Sequence, residues 1–280
     1  MDGLTPANDE TIRSGALAVD TMGNRKDHYY NKSKQEGYRS RAAYKLQQLD
    51  DRFDVLFGGA SVVDLGAAPG GWLQVAAERA GARGKVVGVD FQSITQFETD
   101  AGLETVRGDM TEDETRQRVR DAANGSADVV VSDMAPDMTG EYDLDHARSV
   151  HLARQALETA RELLDAGGHF VVKVFDGRDF QDLLADIEDE FAFVATHSPD
   201  ASRDASSELY VVGKNHIVAP IAEGDEHTVE IVDTGDEGDG IARIEGYTLF
   251  VDDAAEGDTV DVTVTDLKPN YGFAERRDGA

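Results

Sequence analysis

The order of hydrophobic and polar positions predicts alternating strands and helices over residues 40–214. Short runs of β-branched residues are separated by longer segments whose apolar residues recur at helical spacing. The predicted strands cover residues 61–65, 85–90, 103–108, 128–133, 168–175, 192–197 and 209–214. The predicted helices cover residues 40–53, 71–80, 112–122, 144–164 and 180–190. This alternation is typical of an α/β fold, a mainly parallel sheet with helices on both faces.

The pattern changes after residue 215. Short runs of alternating apolar residues follow one another there, glycines separate them, and no helix-length pattern occurs. This texture predicts a small all-β domain of about five strands, closed into a barrel. We therefore predict three parts: an acidic, disordered N-terminal extension (1–23), an α/β domain (24–215) and a β-barrel domain (216–280).

The charge of the chain is strongly unbalanced. The sequence has 56 acidic and 27 basic residues, a formal net charge of -29. A chain this acidic repels nucleic acid at low salt. We interpret the charge as adaptation to a very salty cytoplasm, where the screening length falls to about 3 Å at 1 M salt. An acidic binding protein is the alternative interpretation.

Composition also narrows the class of protein. The chain has no cysteine, which excludes disulfides and thiolate metal sites. No apolar run is long enough to span a bilayer, and the acidic N-terminus lacks a signal-peptide pattern. The seven histidines show no metal-ligand spacing. We therefore expect a cytoplasmic protein with no membrane partner and no metal.

One segment, residues 25–45, departs from the acidic background. Positive charge interleaved with aromatic rings is typical of a surface that binds a phosphate backbone and stacks bases. The alternative is a basic run on a solvated face. The segment contains the basic residues Arg25, Lys26, Lys32, Lys34, Arg39, Arg41 and Lys45 and the tyrosines Tyr29, Tyr30, Tyr38 and Tyr44.

Residues 61–72 combine a strand, a glycine-rich turn and the start of a helix. Glycine allows the backbone to approach a ligand closely, and in an open α/β sheet this turn lies where ligands bind. The spacing of Gly66, Gly70 and Gly71 differs from the G-x-G-x-x-G pattern, which argues against a nicotinamide dehydrogenase.

Two aspartates follow neighbouring predicted strands. Asp90 ends the second strand, where a carboxylate can accept hydrogen bonds from the ribose hydroxyls of an adenosine. Asp109 follows the third strand, where it could accept from an adenine amine. Taken singly, each could instead be a helix cap or a turn residue.

Five segments in the same order resemble the FtsJ-type 2′-O-ribose methyltransferases. The resemblance covers residues 26–214 and implies a Rossmann-like S-adenosylmethionine-dependent methyltransferase fold. The matching segments are Ser40-Arg-Ala-Ala-Tyr-Lys45, Asp64-Leu-Gly-Ala-Ala-Pro-Gly-Gly-Trp72, Ser132-Asp-Met-Ala-Pro136, Phe170-Val-Val-Lys-Val-Phe175 and Ser206-Ser-Glu-Leu-Tyr210.

The resemblance implies roles for individual residues. Lys173 matches the family's general base, and S-adenosyl-L-methionine is the implied cofactor. The chemistry agrees, because a ribose hydroxyl needs a base to remove its proton, whereas a sulfonium methyl group is already activated. The implied catalytic tetrad is Lys45, Asp133, Lys173 and Glu208. The implied cofactor contacts are Gly70, Trp72, Asp90, Asp109 and Asp133.

The C-terminal part resembles a TRAM domain, which implies an RNA-binding barrel. A generic barrel used for folding or dimer contacts is the alternative. Four aromatic residues could stack on bases, although some of them must fill the barrel core: Tyr247, Phe250, Tyr271 and Phe273. The matching segments are 229–231, 238–242, 246–251, 257–260 and 270–274.

The two resemblances together imply a methyltransferase that acts on the 2′-hydroxyl of a uridine ribose in 23S ribosomal RNA. The expected partner is ribosomal RNA or the large ribosomal subunit. A tRNA 2′-O-methyltransferase is one alternative, because the same tetrad would serve it. A non-catalytic ribosome-assembly factor is another, although a protein that only binds RNA has no use for Lys173.

Overall fold

The computed structural model describes residues 20–202, 207–235, 238–268 and 270–277. Most of the predicted extension, 1–23, and Ser206 of the last matching segment lie outside the described residues. The helices are α1 (Asp20–Glu36), α2 (Ala43–Phe53), α3 (Gly71–Ala80), α4 (Asp113–Ala122), α5 (Tyr142–Leu163) and α6 (Phe180–Glu190).

Seven strands form one sheet in the order β3-β2-β1-β4-β5-β7-β6. The pairs from β3 to β5 are parallel, and β7 runs antiparallel to both β5 and β6. The mainly parallel sheet predicted from the sequence is confirmed. The strands are β1 (Ser61–Leu65), β2 (Lys85–Asp90), β3 (Gly102–Arg107), β4 (Ala127–Ser132), β5 (Leu164–Phe175), β6 (Phe191–His197) and β7 (Glu208–His216).

Each face of the sheet has its own hydrophobic core. Val62 of β1 packs into the core beneath α2 and α3, whereas its neighbour Val63 faces the core beneath α4, α5 and α6. A strand buried on both faces reads as a continuous apolar run, which is why the sequence marks these strands clearly. Helices cover both faces, as predicted.

The C-terminal strands form a closed barrel in the order β10-β12-β11-β8-β9. Closure leaves no unpaired strand edge, and side chains such as Leu249, Val251 and Val262 fill the interior. The predicted small barrel is confirmed. Its strands are β8 (Glu226–Thr234), β9 (Gly240–Ile244), β10 (Tyr247–Val251), β11 (Thr259–Leu267) and β12 (Tyr271–Arg276).

Some elements differ from the sequence-based expectation, among them α2, which begins at Ala43 and not at Ser40. Helix α1 was not predicted, because its composition is polar and it lacks a broad apolar stripe; Tyr29 packs it against Tyr44 of α2, with ring centroids 5.4 Å apart. Strand β5 begins at Leu164, four residues before the predicted start at Gly168.

In the described part of the chain, no helix has the length and apolar character needed to cross a membrane.

A buried carboxylate holds α2 in place. Asp50 Oδ1 accepts the Leu56 N–H at 2.8 Å, and Asp50 Oδ2 pairs with Arg79 Nε of α3 at 2.7 Å. These contacts join the end of α2 both to the segment that leads into β1 and to the neighbouring helix. They thereby fix the helix that carries Lys45.

We expect Asp50→Ala to lower the free energy of unfolding by about 1–3 kcal/mol, because it leaves the buried Leu56 amide without an acceptor. Asp51→Ala is the matched control, because Asp51 also pairs with Arg79 but its side chain is 68% exposed. An exposed pair contributes less than about 1 kcal/mol. Chemical denaturation measures both, and equal losses in the two variants would contradict this account.

Candidate active site

Four side chains from four elements converge at one edge of the sheet. Lys45 lies on α2, Asp133 directly follows β4, Lys173 lies near the end of β5, and Glu208 begins β7. Because β4 and β5 are parallel, they end at the same edge, and antiparallel β7 begins there. The structure therefore brings together all four residues of the tetrad that the resemblance implies.

The tetrad forms a connected network of ion pairs. Lys173 Nζ lies 2.9 Å from Asp133 Oδ1 and also donates to the Asp133 backbone carbonyl. Lys45 Nζ lies 2.7 Å from Glu208 Oε1 and 3.8 Å from Asp133 Oδ1. Each lysine is only 7% exposed. A buried ammonium group is costly unless it is paired, so the two carboxylates are what keeps the lysines at this edge.

Tyr210 connects the two halves of the network. Its hydroxyl donates to Asp133 Oδ1 at 2.7 Å and accepts from Lys45 Nζ at 2.9 Å. Tyr210 ends the last of the matching segments, but no role was predicted for it. Strand alternation was the available signal, because Tyr210 stands two residues after Glu208 on the same face. Ser202 Oγ, which donates to Glu208 Oε1 at 2.7 Å, lies in a loop and gave no signal.

Electrostatics fixes the protonation of two members. Burial alone would raise the pKa of Asp133, but Lys173 and Lys45, together with the Tyr210 hydroxyl, hold that pKa below its ordinary value. Burial, followed by the charges of Asp133 and Glu208, raises the pKa of Tyr210 well above its ordinary value. Asp133 is thus a charged acceptor and Tyr210 a protonated donor at neutral pH.

The turn between β1 and α3 depends on glycine. Gly66 and Gly70 have φ values of +75° and +109°, which side chains rarely adopt. A methyl group on Gly70 would also lie 3.0 Å from Arg39 Nη1. The backbone of this turn is therefore closely approached by another segment of the chain.

Trp72 has a packing role beside this turn. Its indole Nε1 donates to the Ala42 carbonyl at 2.8 Å, and its ring centroid lies 5.7 Å from that of Tyr210. The residue is almost fully buried. Trp72 therefore connects α2, α3 and the tetrad, while its contact with a cofactor stays a prediction.

Asp64 is a buried acidic residue of β1 for which no role was predicted. It is 1% exposed, and neither carboxylate oxygen has a hydrogen-bond partner of good geometry among the described residues. Burial, followed by the charges of Asp133 and Asp90, raises the pKa of Asp64 well above its ordinary value, against a smaller opposite effect of the Leu73 amide. Three carboxyl groups thus approach one another near the glycine turn.

Asp90 and Asp109 both hold local turns. Asp90 accepts the backbone N–H groups of Ala68 at 3.0 Å and of Gln92 at 2.7 Å, one on each oxygen. Asp109 Oδ1 accepts the Thr111 N–H at 2.9 Å, and the residue is exposed. Each carboxylate oxygen has a further lone pair. Both carboxylates therefore hold a turn through these hydrogen bonds, and each can still accept a hydrogen bond from a ligand.

The tyrosines of the basic segment are mostly used within the protein. Tyr44 is buried, and its ring packs against Tyr29 and Tyr38 with centroid distances of 5.4 and 5.6 Å. Lys32 Nζ lies 4.5 Å from the Tyr44 ring centroid. Tyr30 is exposed. Of the four tyrosines, Tyr30 is therefore the one whose ring is free enough to stack on a base.

The barrel aromatics divide into an interior and an exterior set. Tyr247 is buried, and its hydroxyl donates to the backbone carbonyls of Lys268 and Tyr271. Phe250, Tyr271 and Phe273 form a cluster on the outside of β10 and β12, with centroids 5.6–5.8 Å apart. Tyr247 thus belongs to the barrel structure, and the other three rings form an outer patch.

This chain is similar in sequence to known protein families and proteins. Residues 38–216 match the model of the FtsJ-like methyltransferase family, and residues 221–276 match the TRAM domain. A Natronomonas pharaonis protein named ribosomal RNA large subunit methyltransferase E is 64% identical over 90% of this chain and 98% of its own length. The Haloarcula marismortui protein of the same name is 60% identical over 89% of this chain and 98% of its own length.

A solved structure agrees with these matches. It is that of a ribosomal RNA methyltransferase from Plasmodium falciparum, 26% identical, with a TM-score of 0.57. It covers 64% of this chain and 98% of its own chain.

Among the described residues, no group of three or more histidine, aspartate or glutamate side chains could hold a metal ion.

We expect Tyr210→Phe to lower the free energy of unfolding by about 1.5–3 kcal/mol, the scale of a hydrogen bond to a charged group. The ring stays, so the loss is limited to the interactions of the hydroxyl with Asp133, Lys45 and Glu208. Tyr142→Phe is the matched control, because Tyr142 donates to the Asp176 carbonyl at 2.6 Å but is 59% exposed. Water replaces that bond, so the control should lose less than about 1 kcal/mol. Denaturant titrations that showed the same loss in both variants would contradict the role of Tyr210.

Proposed function

This chain belongs to the FtsJ-like methyltransferase family, and we propose that it transfers a methyl group from S-adenosyl-L-methionine to the 2′-hydroxyl of a uridine ribose in 23S ribosomal RNA. The observation that carries the proposal is the buried Lys173–Asp133–Lys45–Glu208 network beside the glycine turn. In this proposal residues 24–215 perform the transfer and residues 216–280 bind RNA.

The residues around the turn fit this cofactor. S-adenosylmethionine carries a positively charged sulfonium and an ammonium group, and the carboxyl groups of Asp64, Asp90 and Asp133 approach one another beside the turn. A cationic ligand would relieve their repulsion. Gly70 and Trp72 would line the pocket, Asp90 would accept the ribose hydroxyls, and the exposed Asp109 would accept from the adenine amine.

The chain's own residues then orient and deprotonate the hydroxyl. Bound at the turn, the cofactor would supply an activated methyl group. Lys173 Nζ would take the proton of the 2′-hydroxyl as the oxygen gains the methyl group, which requires the neutral amine. Asp133 and Glu208 hold the two amines in position.

The choice of ribosomal RNA rests on the relatives, which carry the name ribosomal RNA large subunit methyltransferase E. The tetrad itself would serve a tRNA substrate equally well. A non-catalytic assembly factor is less consistent with the site, because burying Lys45 and Lys173 has an energetic cost that a binding role would not offset.

The outer surface offers two candidate RNA contacts. Lys34 is exposed and lies over the Tyr30 ring, with Nζ 4.5 Å from its centroid. The patch of Phe250, Tyr271 and Phe273 presents ring faces and edges on the barrel. Stacking depends little on salt compared with phosphate contacts, so such rings suit a chain with a net charge of -29.

We predict that Tyr271→Ala weakens the affinity for single-stranded RNA by about 1–3 kcal/mol, the range for stacking one base. Val232→Ala is the matched control, because Val232 is an exposed apolar residue of the same barrel that lacks a ring. RNA titrations at fixed molar salt measure both. If the two variants bind RNA equally well, the patch is not a stacking surface.

We predict that Lys173→Ala abolishes methyl transfer to unmodified 23S ribosomal RNA while the dissociation constant of S-adenosylmethionine changes less than about twofold, since Lys173 acts on the hydroxyl. Lys173→Arg should fail as well, because a guanidinium does not give up its proton. Single-turnover transfer of a labelled methyl group and calorimetry are the two measurements. Turnover near the wild-type value in either variant would overturn the assignment of the base.

A further inference from the structure

Arg39 belongs to the basic segment, but its guanidinium group faces the protein. Nη1 donates to the carbonyls of Pro69, at 3.2 Å, and of Thr95, while Nη2 donates to the Gln96 carbonyl at 3.0 Å. Pro69 immediately precedes Gly70 in the glycine turn. One side chain thus connects two segments that approach the candidate cofactor pocket.

The second of these segments needs an anchor. Residues 91–101, which we call the cofactor loop, directly follow Asp90 and lie outside helices and strands. Ile94 and Phe97 pack against the core beneath α2 and α3. Arg39 adds hydrogen bonds to two of the loop's carbonyls and places its guanidinium carbon 5.1 Å from the Phe97 ring centroid.

The backbone of Arg39 is held as firmly as its side chain. Its N–H group donates to Gln74 Oε1 at 2.8 Å, and Gln74 Nε2 donates to the Gly37 carbonyl at 3.1 Å. Gln74 lies on α3, the helix that begins at the glycine turn. The guanidinium group also lies against Gly70, where an added methyl group would come within 3.0 Å of Nη1. The position of Arg39 is therefore set by the same elements that shape the turn.

We propose that Arg39 is a positioning residue for the cofactor: it latches the cofactor loop to the glycine turn and so holds Asp90 and the adenosine side of the pocket in place. This inference rests on the proposed function. Its partners Pro69, Thr95 and Gln96 are all carbonyl oxygens, which accept only, and a forked guanidinium can serve three of them at once. A phosphate group would have to displace these bonds, so Arg39 contributes little to RNA affinity.

Lysine cannot replace arginine in this role. An ammonium group keeps the charge but cannot span carbonyls on two segments with a planar fork. Arg39→Lys therefore removes the hydrogen bonds that bridge the two segments but keeps the positive charge, whereas Arg39→Ala removes both. Lys34→Ala is the matched control from the same basic segment, because Lys34 is exposed and its Nζ lies over the Tyr30 ring.

The first test needs no ligand. Hydrogen exchange of the full-length protein should be about tenfold faster across residues 91–101 in Arg39→Ala and Arg39→Lys, because lost anchoring favours local opening. Exchange in the barrel strands serves as the internal reference and should stay unchanged. Unchanged exchange of the cofactor loop in both variants would overturn the latch.

The second test measures binding by calorimetry without RNA. Both Arg39 variants should raise the dissociation constant of S-adenosylmethionine about tenfold, which corresponds to about 1.4 kcal/mol. Lys34→Ala should leave it unchanged and instead weaken RNA binding. If the Arg39 variants lose RNA affinity but keep cofactor affinity, Arg39 is a phosphate contact and the proposal is wrong. A wild-type chain that binds no S-adenosylmethionine would overturn the proposed function and the cofactor role of Arg39 with it, whereas the exchange result judges the latch separately.

Discussion

Two lysine side chains buried beside one carboxylate are the constraint on which the site depends. Lys45 and Lys173 are 128 residues apart in the sequence, yet both lie within 4 Å of Asp133 Oδ1, at 3.8 and 2.9 Å. Neither charge is tolerable at this depth without its partners. The antiparallel register that pairs Phe175 with Glu208 delivers the second carboxylate to the same edge. The sheet, α2 and the buried Asp50 that fixes α2 thus hold the two lysines and the two carboxylates of the tetrad in contact.

The sequence predicted the sheet and the barrel well, because these depend on local signals, and the four residues that the family resemblance groups together lie side by side in the structure. Continuous β-branched runs mark strands buried on both faces, and short segments in a fixed order mark the site. It missed α1, whose polar sequence becomes helical through contacts with a distant helix. It also missed the roles of Tyr210 and Asp64, which depend on which side chains meet in three dimensions. Arg39 was grouped with its basic neighbours because sequence shows the charge but not the carbonyls it binds.

The acidic surface changes how RNA recognition must work. The two relatives named above come from halophilic archaea, where screening reduces long-range repulsion between a polyanionic protein and RNA. Screening also weakens phosphate contacts. Two arginines of the basic segment are already committed to backbone carbonyls, Arg39 near the turn and Arg41 at Ala201. In RNA binding, the outer rings of the barrel, whose stacking persists in salt, therefore gain importance relative to the remaining basic side chains of residues 25–45.

The position of the transferred methyl group tests the account's central claim, that the lysine–carboxylate network acts on a ribose hydroxyl. The enzyme would be given labelled S-adenosylmethionine and unmodified 23S ribosomal RNA, and the product hydrolysed in alkali. A methyl group on the 2′-oxygen removes the hydroxyl that cleaves the adjacent phosphodiester, so the account predicts that the label stays in an alkali-stable dinucleotide. Recovery of the label in mononucleotides would show methylation of a base and would contradict it.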